Sequence, residues 1–179
     1  MGEKLSEHFT LDELIKSDVA KAYKLNNNPL PIHKRILIHT CQYLLEPLRA
    51  LLNEEIKVHD RKIVNFITIN ITSGYRCTKL NSIVGGARNS GHTKGEAVDI
   101  EAKVWYLDGT TAIMPFTELY EHIKEWTREG RISVDQCIQE QAGASKWVHV
   151  SHNNAGRTRD RRQFLKYSNG RYTLDTCFS

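Results

Sequence analysis

No run of apolar residues in this sequence approaches the roughly 20 needed to cross a bilayer as a helix, so no membrane span is expected. The opening stretch, Met1 to Glu13, is charged throughout and lacks the apolar segment that a secretory signal requires, which leaves synthesis in the cytoplasm as the expectation. The four cysteines, Cys41, Cys77, Cys137 and Cys177, lie far apart and make no C-x-x-C pair. That excludes a structural zinc knuckle and a dithiol redox motif and leaves free thiols in a reducing compartment. There is no internal repeat and no low-complexity linker, and the Gly85-Gly86 pair is followed by no lysine at phosphate-loop spacing, so a nucleotide site is rejected.

What is present suits one globular domain. A chain of 179 residues with 40% hydrophobic content buries a core without disulfides. The domain expected spans 1–179, with N-terminal helices over 10–52, a motif-bearing core over about 60–152 and a basic tail over 153–179. The net charge of +4 comes from basic and acidic residues that are interspersed, and by itself it selects no partner.

Local patterns predict an α+β fold with a small, mainly antiparallel sheet packed against helices. Thr10-Leu11-Asp12-Glu13 has the form of a capping box for a short helix. From Pro31 to about Leu52, apolar residues recur at helical spacing, with a kink expected at Pro47. Ile67, Ile69 and Ile71 alternate with Thr68, Asn70 and Thr72, the period of a half-buried strand that Ser73-Gly74 would stop. Phe116, Leu119, Tyr120, Ile123 and Trp126 form the apolar stripe of a helix over 115–129, ended by Gly130. Further strands are expected at 97–102, 134–139 and 147–151.

Two of these strands carry chemistry. In Ala97-Val98-Asp99-Ile100, alternation sends Val98 and Ile100 to one face and Asp99 to the other; in Trp147-Val148-His149-Val150-Ser151 the same pattern presents His149. His92 stands in the turn Ser90-Gly91-His92-Thr93-Lys94-Gly95, whose glycines permit a path that folds it back over the same face. Two imidazoles and one carboxylate make a catalytic rather than a structural zinc site, because three protein ligands leave a fourth position for water. Two histidines favour zinc over harder ions.

The motifs Ser73-Gly74-Tyr75-Arg76, Asn81, Val84-Gly85-Gly86, Ser90 to Asp99, Asp135-Gln136 to Glu140 and Trp147 to Ser151 resemble, in order, those of the zinc D-alanyl-D-alanine carboxypeptidases and related phage endolysins. The resemblance covers about Leu5 to Ser151 and implies the fold shared with hedgehog-type signalling domains. It implies one zinc ion per chain on His92, Asp99 and His149, with Arg76 gripping a substrate carboxylate and Ser90 touching the substrate peptide. Many relatives place an acidic residue three positions before the last histidine; here that position holds Lys146, and Glu140 is the substitute general base.

The implied function is hydrolysis of peptidoglycan stem peptides in the cell wall or periplasm by a monomeric metallopeptidase. Small size and the absence of a signal segment favour a phage or prophage role. The alternative is a non-catalytic zinc module that binds cell-wall peptides or forms part of a phage particle. Other features have plainer readings. His8, His33, His39, His59 and His122 receive no role, and His152, of opposite strand parity to His149, is weighed as a surface residue against a substrate contact or proton shuttle. Arg76 has an internal ion pair as its alternative, and Tyr75 and Trp147 read as packing beside the site. The late Arg157, Arg159, Arg161 and Arg162 read as a solvated face, and no nucleic acid is expected as partner.

Overall fold

The computed structural model describes residues 2–153 and 160–175. The first elements are two short helices, α1 (Leu11–Ile15) and α2 (Asp18–Ala22), each started by a hydroxyl cap. At α1 the capping box is complete: Thr10 accepts from the Glu13 amide, and the Glu13 carboxylate accepts from the Thr10 amide at 2.8 Å. These bonds satisfy amides that a helix start otherwise leaves without partners.

The expected long helix is real but divided. Helix α3 (Pro31–Thr40) and helix α4 (Glu46–Glu55) are joined by a wide helical turn over Cys41–Leu45. There the Glu46 amide donates to the Cys41 carbonyl, five residues back. Pro47 has no amide hydrogen and its ring crowds the preceding turn; widening that turn accommodates the ring where a sharp kink was expected.

Among the described residues the sheet has eight strands: β1 (Val58–His59), β2 (Lys62–Ser73), β3 (Ala97–Tyr106), β4 (Thr111–Ile113), β5 (Gln136–Ala142), β6 (Ser145–Ser151), β7 (Gln163–Ser168) and β8 (Arg171–Leu174). Their order is β1-β2-β3-β6-β5-β7-β8, with β4 beside the far end of β3. All pairings are antiparallel except β5 with β7. Helix α5 (Thr78–Ile83) follows β2, and helix α6 (Phe116–Arg128) follows β4. The class is α+β with a mainly antiparallel sheet, as the patterns predict.

Along β3 the residues alternate in burial. Val98, Ile100, Ala102 and Val104 enter a core shared with Leu37, Leu44, Leu48 and Leu52 from the long helices and Leu119 and Ile123 from α6. The opposite face of the strand, which bears Asp99, Glu101, Lys103 and Trp105, is left for the site. Cys41 and Cys137 are free and buried and Cys77 is free and half-buried; burial pushes the Cys41 thiol up to about 12. Cys177 lies outside the described residues. No described helix is long and apolar enough to cross a membrane.

The segment after residue 152 corrects the sequence reading. Instead of a basic tail, β7 and β8 extend the sheet, and Phe164 is fully buried against Tyr120. The turn between them is Asn169-Gly170, both at positive φ (50° and 78°), the two-residue hairpin geometry that this residue pair favours. Arg161 is exposed, as a solvated face requires, and its guanidinium also pairs with Asp135 at 2.6 Å. Arg157 and Arg159 lie outside the described residues.

If β7 completes the core, Phe164→Ala lowers unfolding free energy by about 3–5 kcal/mol in urea titrations, the usual cost of emptying a buried aromatic site. A loss below about 1 kcal/mol would place the segment outside the cooperative fold.

Candidate metal centre

The site begins with strand register. In the antiparallel pair β3 and β6, Asp99 is opposite His149, while Val98 and Ile100 are opposite Val150 and Val148. The four aliphatic side chains are fully buried in the core, which forces Asp99 and His149 together onto the other face.

His92 arrives from a short 3-10 turn over Gly91–Thr93, begun by Ser90, whose Oγ accepts from the His92 amide at 3.3 Å. Gly95 closes that turn at φ 84°, and a Cβ there would stand 2.9 Å from both the His33 carbonyl and Leu37 Cγ. Glycine alone fits both demands. The turn is fastened to the end of β2, where the Arg76 amide donates to the His92 carbonyl at 3.1 Å and His92 Nδ1 lies 2.7 Å from the Gly74 carbonyl oxygen. A carbonyl only accepts, so Nδ1 carries the proton and Nε2 presents its lone pair.

Three donor atoms therefore converge. His149 Nδ1 lies 2.9 Å from Asp99 Oδ1, His92 Nε2 lies 3.2 Å from Asp99 Oδ1, and the two imidazole nitrogens are 3.2 Å apart. All three side chains are nearly buried. At zinc–ligand distances of about 2.0–2.1 Å, adjacent corners of a tetrahedron stand about 3.3 Å apart. The triangle matches one face of such a tetrahedron, and all three residues line a cleft of about 570 Å³. The residues present fit a zinc ion with an open position.

Electrostatics supports an ionised carboxylate. Burial alone would raise the Asp99 pKa, but the His92 and His149 imidazoles outweigh it and hold the group well below the ordinary carboxylate range. Arg76 adds an ion pair, with Nη2 at 2.6 Å from Asp99 Oδ2 and Nε at 2.8 Å from Ser73 Oγ. The internal partner raised for Arg76 by the sequence is thus present, and it is one of the candidate ligands.

Ser90 lines the cleft, as does Glu140. Ile138 is opposite His149, so Glu140, two residues on, shares the metal-facing side of β5. Burial raises the Glu140 pKa; the nearby His149 and Arg76 lower it and Asp99 raises it. Lys146, three residues before His149, has the opposite parity, and its ammonium lies over the Phe116 ring. It does not occupy the position a general base would need.

His152 departs from the surface reading. Its side chain is 15% exposed and its Nδ1 lies 3.0 Å from Asp160 Oδ2, while its ring stacks on His39. Sequence reasoning also missed Tyr167 and Tyr172, which line the cleft from β7 and β8. Their signal was the alternation leading into Asn169-Gly170.

A family model described as Peptidase M15 matches residues 7–108. The chain belongs to the Peptidase M15 family. No curated protein matches it. The matched segment contains Arg76, Ser90, His92 and Asp99 but ends before Glu140 and His149. In this family member the third candidate donor, His149, lies outside the matched segment and is brought beside Asp99 by the pairing of β6 with β3.

Two measurements test the centre. Purified protein is expected to bind one zinc ion per chain by elemental analysis, and His92→Ala, Asp99→Ala or His149→Ala each to reduce that to near zero; a variant that keeps full zinc would remove its residue from the set. The His152–Asp160 pair has its own pH signature. Burial opposes the Asp160 charge, but the ion pair with His152 and hydrogen bonds from Ser133 and the Asn153 amide lower its pKa below the ordinary 3.8, while the Asp160 carboxylate raises His152 above 6.5. The carboxylate's contribution is present above 3.8 and fades as pH falls through its lowered pKa; the imidazole's is present below 6.5 and fades as pH rises through its raised pKa. His152→Ala thus costs more stability between about pH 4 and 6.5 than at pH 9, read from urea midpoints.

Proposed function

We propose that this M15 protein is a zinc-dependent peptidase that hydrolyses peptidoglycan stem peptides, either trimming a terminal D-alanine or opening an internal bond in the manner of an endolysin. The observation that carries the reading is the convergence of His92 Nε2, Asp99 Oδ1 and His149 Nδ1 at the floor of a cleft that Glu140 also lines.

The three donors would hold the zinc. When bound, the ion supplies a Lewis acid that acidifies water and polarises a carbonyl. The chain's own groups do the rest. Glu140 takes a proton on its carboxylate from the attacking water and returns it to the leaving amine, a task suited to a carboxyl whose proton affinity is increased by burial. Arg76 is already fixed through Nε and Nη2, and its Nη1 is left for a carboxyl group of the peptide. Ser90 stands at the rim, where it would meet the peptide backbone. Lys146 is turned to the opposite face, over the Phe116 ring, so the proton transfer is assigned to Glu140.

Incubation of the zinc-loaded protein with stem peptides, followed by mass spectrometry, tests this directly. Cleavage is expected, lost on chelation and restored by zinc. Glu140→Gln lowers kcat by about 100-fold or more while zinc content stays at one per chain, since a general base contributes on the order of 10²–10⁴. Full zinc occupancy with no cleavage of any stem peptide would sink the peptidase reading in favour of a binding module.

A further inference from the structure

The row of residues that crosses the sheet at Glu140 continues away from the metal donors. Strand register places Glu140 beside Trp147 of β6 on one side and beside Tyr167 of β7 on the other, and Tyr167 is opposite Tyr172 of β8. Residues paired in this way share a face of the sheet. Both tyrosines therefore stand on the metal-facing side, and both line the metal cleft. Their strands lie outside the segment that the family model matches.

The fold makes little use of these two rings. Phe164, on the opposite face of β7, fills the core, whereas Tyr172 is 59% exposed and every residue of β8 is exposed. Tyr167 is half-buried. The rings lie against each other, with centroids 4.6 Å apart and planes tilted by 41°. Among the described residues neither phenol hydroxyl makes a hydrogen bond. A ligand that covered the pair would therefore gain apolar contact with the rings and hydrogen bonds at their edges, at no loss of an existing bond.

Position selects the ligand. Across this face the strands run in the order β2, β3, β6, β5, β7, β8. Arg76, just beyond the end of β2, and Tyr172 on β8 thus lie on opposite sides of Asp99 and His149. A peptide whose terminal carboxylate meets Arg76, with its scissile carbonyl at the metal, directs its amino-terminal part over β5 and β7 toward the tyrosines. Three strand spacings separate His149 on β6 from Tyr172 on β8, about 14 Å, which is the reach of about four extended residues. A stem peptide is joined through its amino end to a sugar of the glycan strand, so at that distance amino acids give way to pyranose rings. A pyranose packs a flat face of C–H groups on an aromatic ring and offers hydroxyls at its rim to the phenols.

We infer that Tyr167 and Tyr172 form a subsite for a sugar ring of the glycan strand, through which the protein engages stem peptides still attached to their glycan. The inference rests on the stem-peptide reading above and extends it to a part of the substrate remote from the bond that is cut.

Binding measurements isolate the subsite from turnover. Zinc-loaded Glu140→Gln protein is titrated calorimetrically with a free stem pentapeptide and with the same pentapeptide carried on an N-acetylglucosaminyl-N-acetylmuramoyl disaccharide. The disaccharide form is expected to bind about tenfold more tightly. Tyr172→Ala, added in that background, removes the advantage and changes free-pentapeptide affinity by less than about twofold, while Tyr172→Phe, which keeps the ring, retains most of it. Unchanged urea midpoints exclude a folding defect as the cause. Equal affinity for the two ligands, or an advantage that survives Tyr167→Ala and Tyr172→Ala together, overturns the subsite, and wild-type cleavage of the free pentapeptide then preserves the peptidase reading. If neither ligand binds measurably, the wild-type kcat/KM values for the two are compared, with the same ratio expected and equal values overturning the subsite. No cleavage of either overturns both readings.

Discussion

The site depends on the register of one strand pair. Asp99 and His149 are 50 positions apart in sequence and meet because β3 and β6 pair with Val98 against Val150 and Ile100 against Val148. Strand side chains alternate strictly, so a slip of one residue in β6 would turn His149 into the core, bring Val148 and Val150 out of it, and part His149 from Asp99. Hydrophobic burial therefore fixes the location of two polar groups that would otherwise resist being buried together. The third donor is added to this pair by a turn that is bonded to the end of the adjacent strand.

The same logic gives a structural role to the first thirty residues, which contribute no donor. The Leu14 carbonyl accepts from the Tyr75 amide at 2.6 Å, and a Cβ on Gly74 would stand 2.2 Å from that Leu14 oxygen. The loop after α2 adds Asn27, whose amide donates to the carbonyls of Ile15 and Tyr75 while its oxygen accepts from the Cys77 amide. Residues 74–77 are thereby held from below, and these are the residues that hold His92 and carry Arg76. A glycine at 74 permits the close approach, and an asparagine at 27 satisfies three backbone groups that would lack partners in the interior.

The donors were legible because each stood inside a strong local pattern. Alternation around Asp99 and His149 predicted which face they would take, and the glycines around His92 predicted a turn. What no local pattern carried was tertiary pairing. The Arg76–Asp99 and His152–Asp160 contacts join residues from separate elements, so arginine and histidine at those positions read equally well as surface groups. The C-terminal strands were a different kind of miss. Asn169-Gly170 is a strong hairpin signal, but the dense charge around it obscured the short alternation on each side. Likewise the wide turn before Pro47 follows from proline sterics in kind, although sequence alone predicts a disruption and not its form.

Arg76 also bears on which ion the centre would accept. Asp99 turns Oδ1 toward the two imidazoles, and Oδ2 is committed to the guanidinium. Held in that way, the carboxylate offers a single oxygen and resists rotating to chelate through both. Calcium draws on several oxygens, often with a carboxylate gripping through both of its atoms. A carboxylate held in this way would serve as a one-oxygen ligand, poorly matched to large, oxygen-seeking cations and better matched to a small ion that prefers four neighbours.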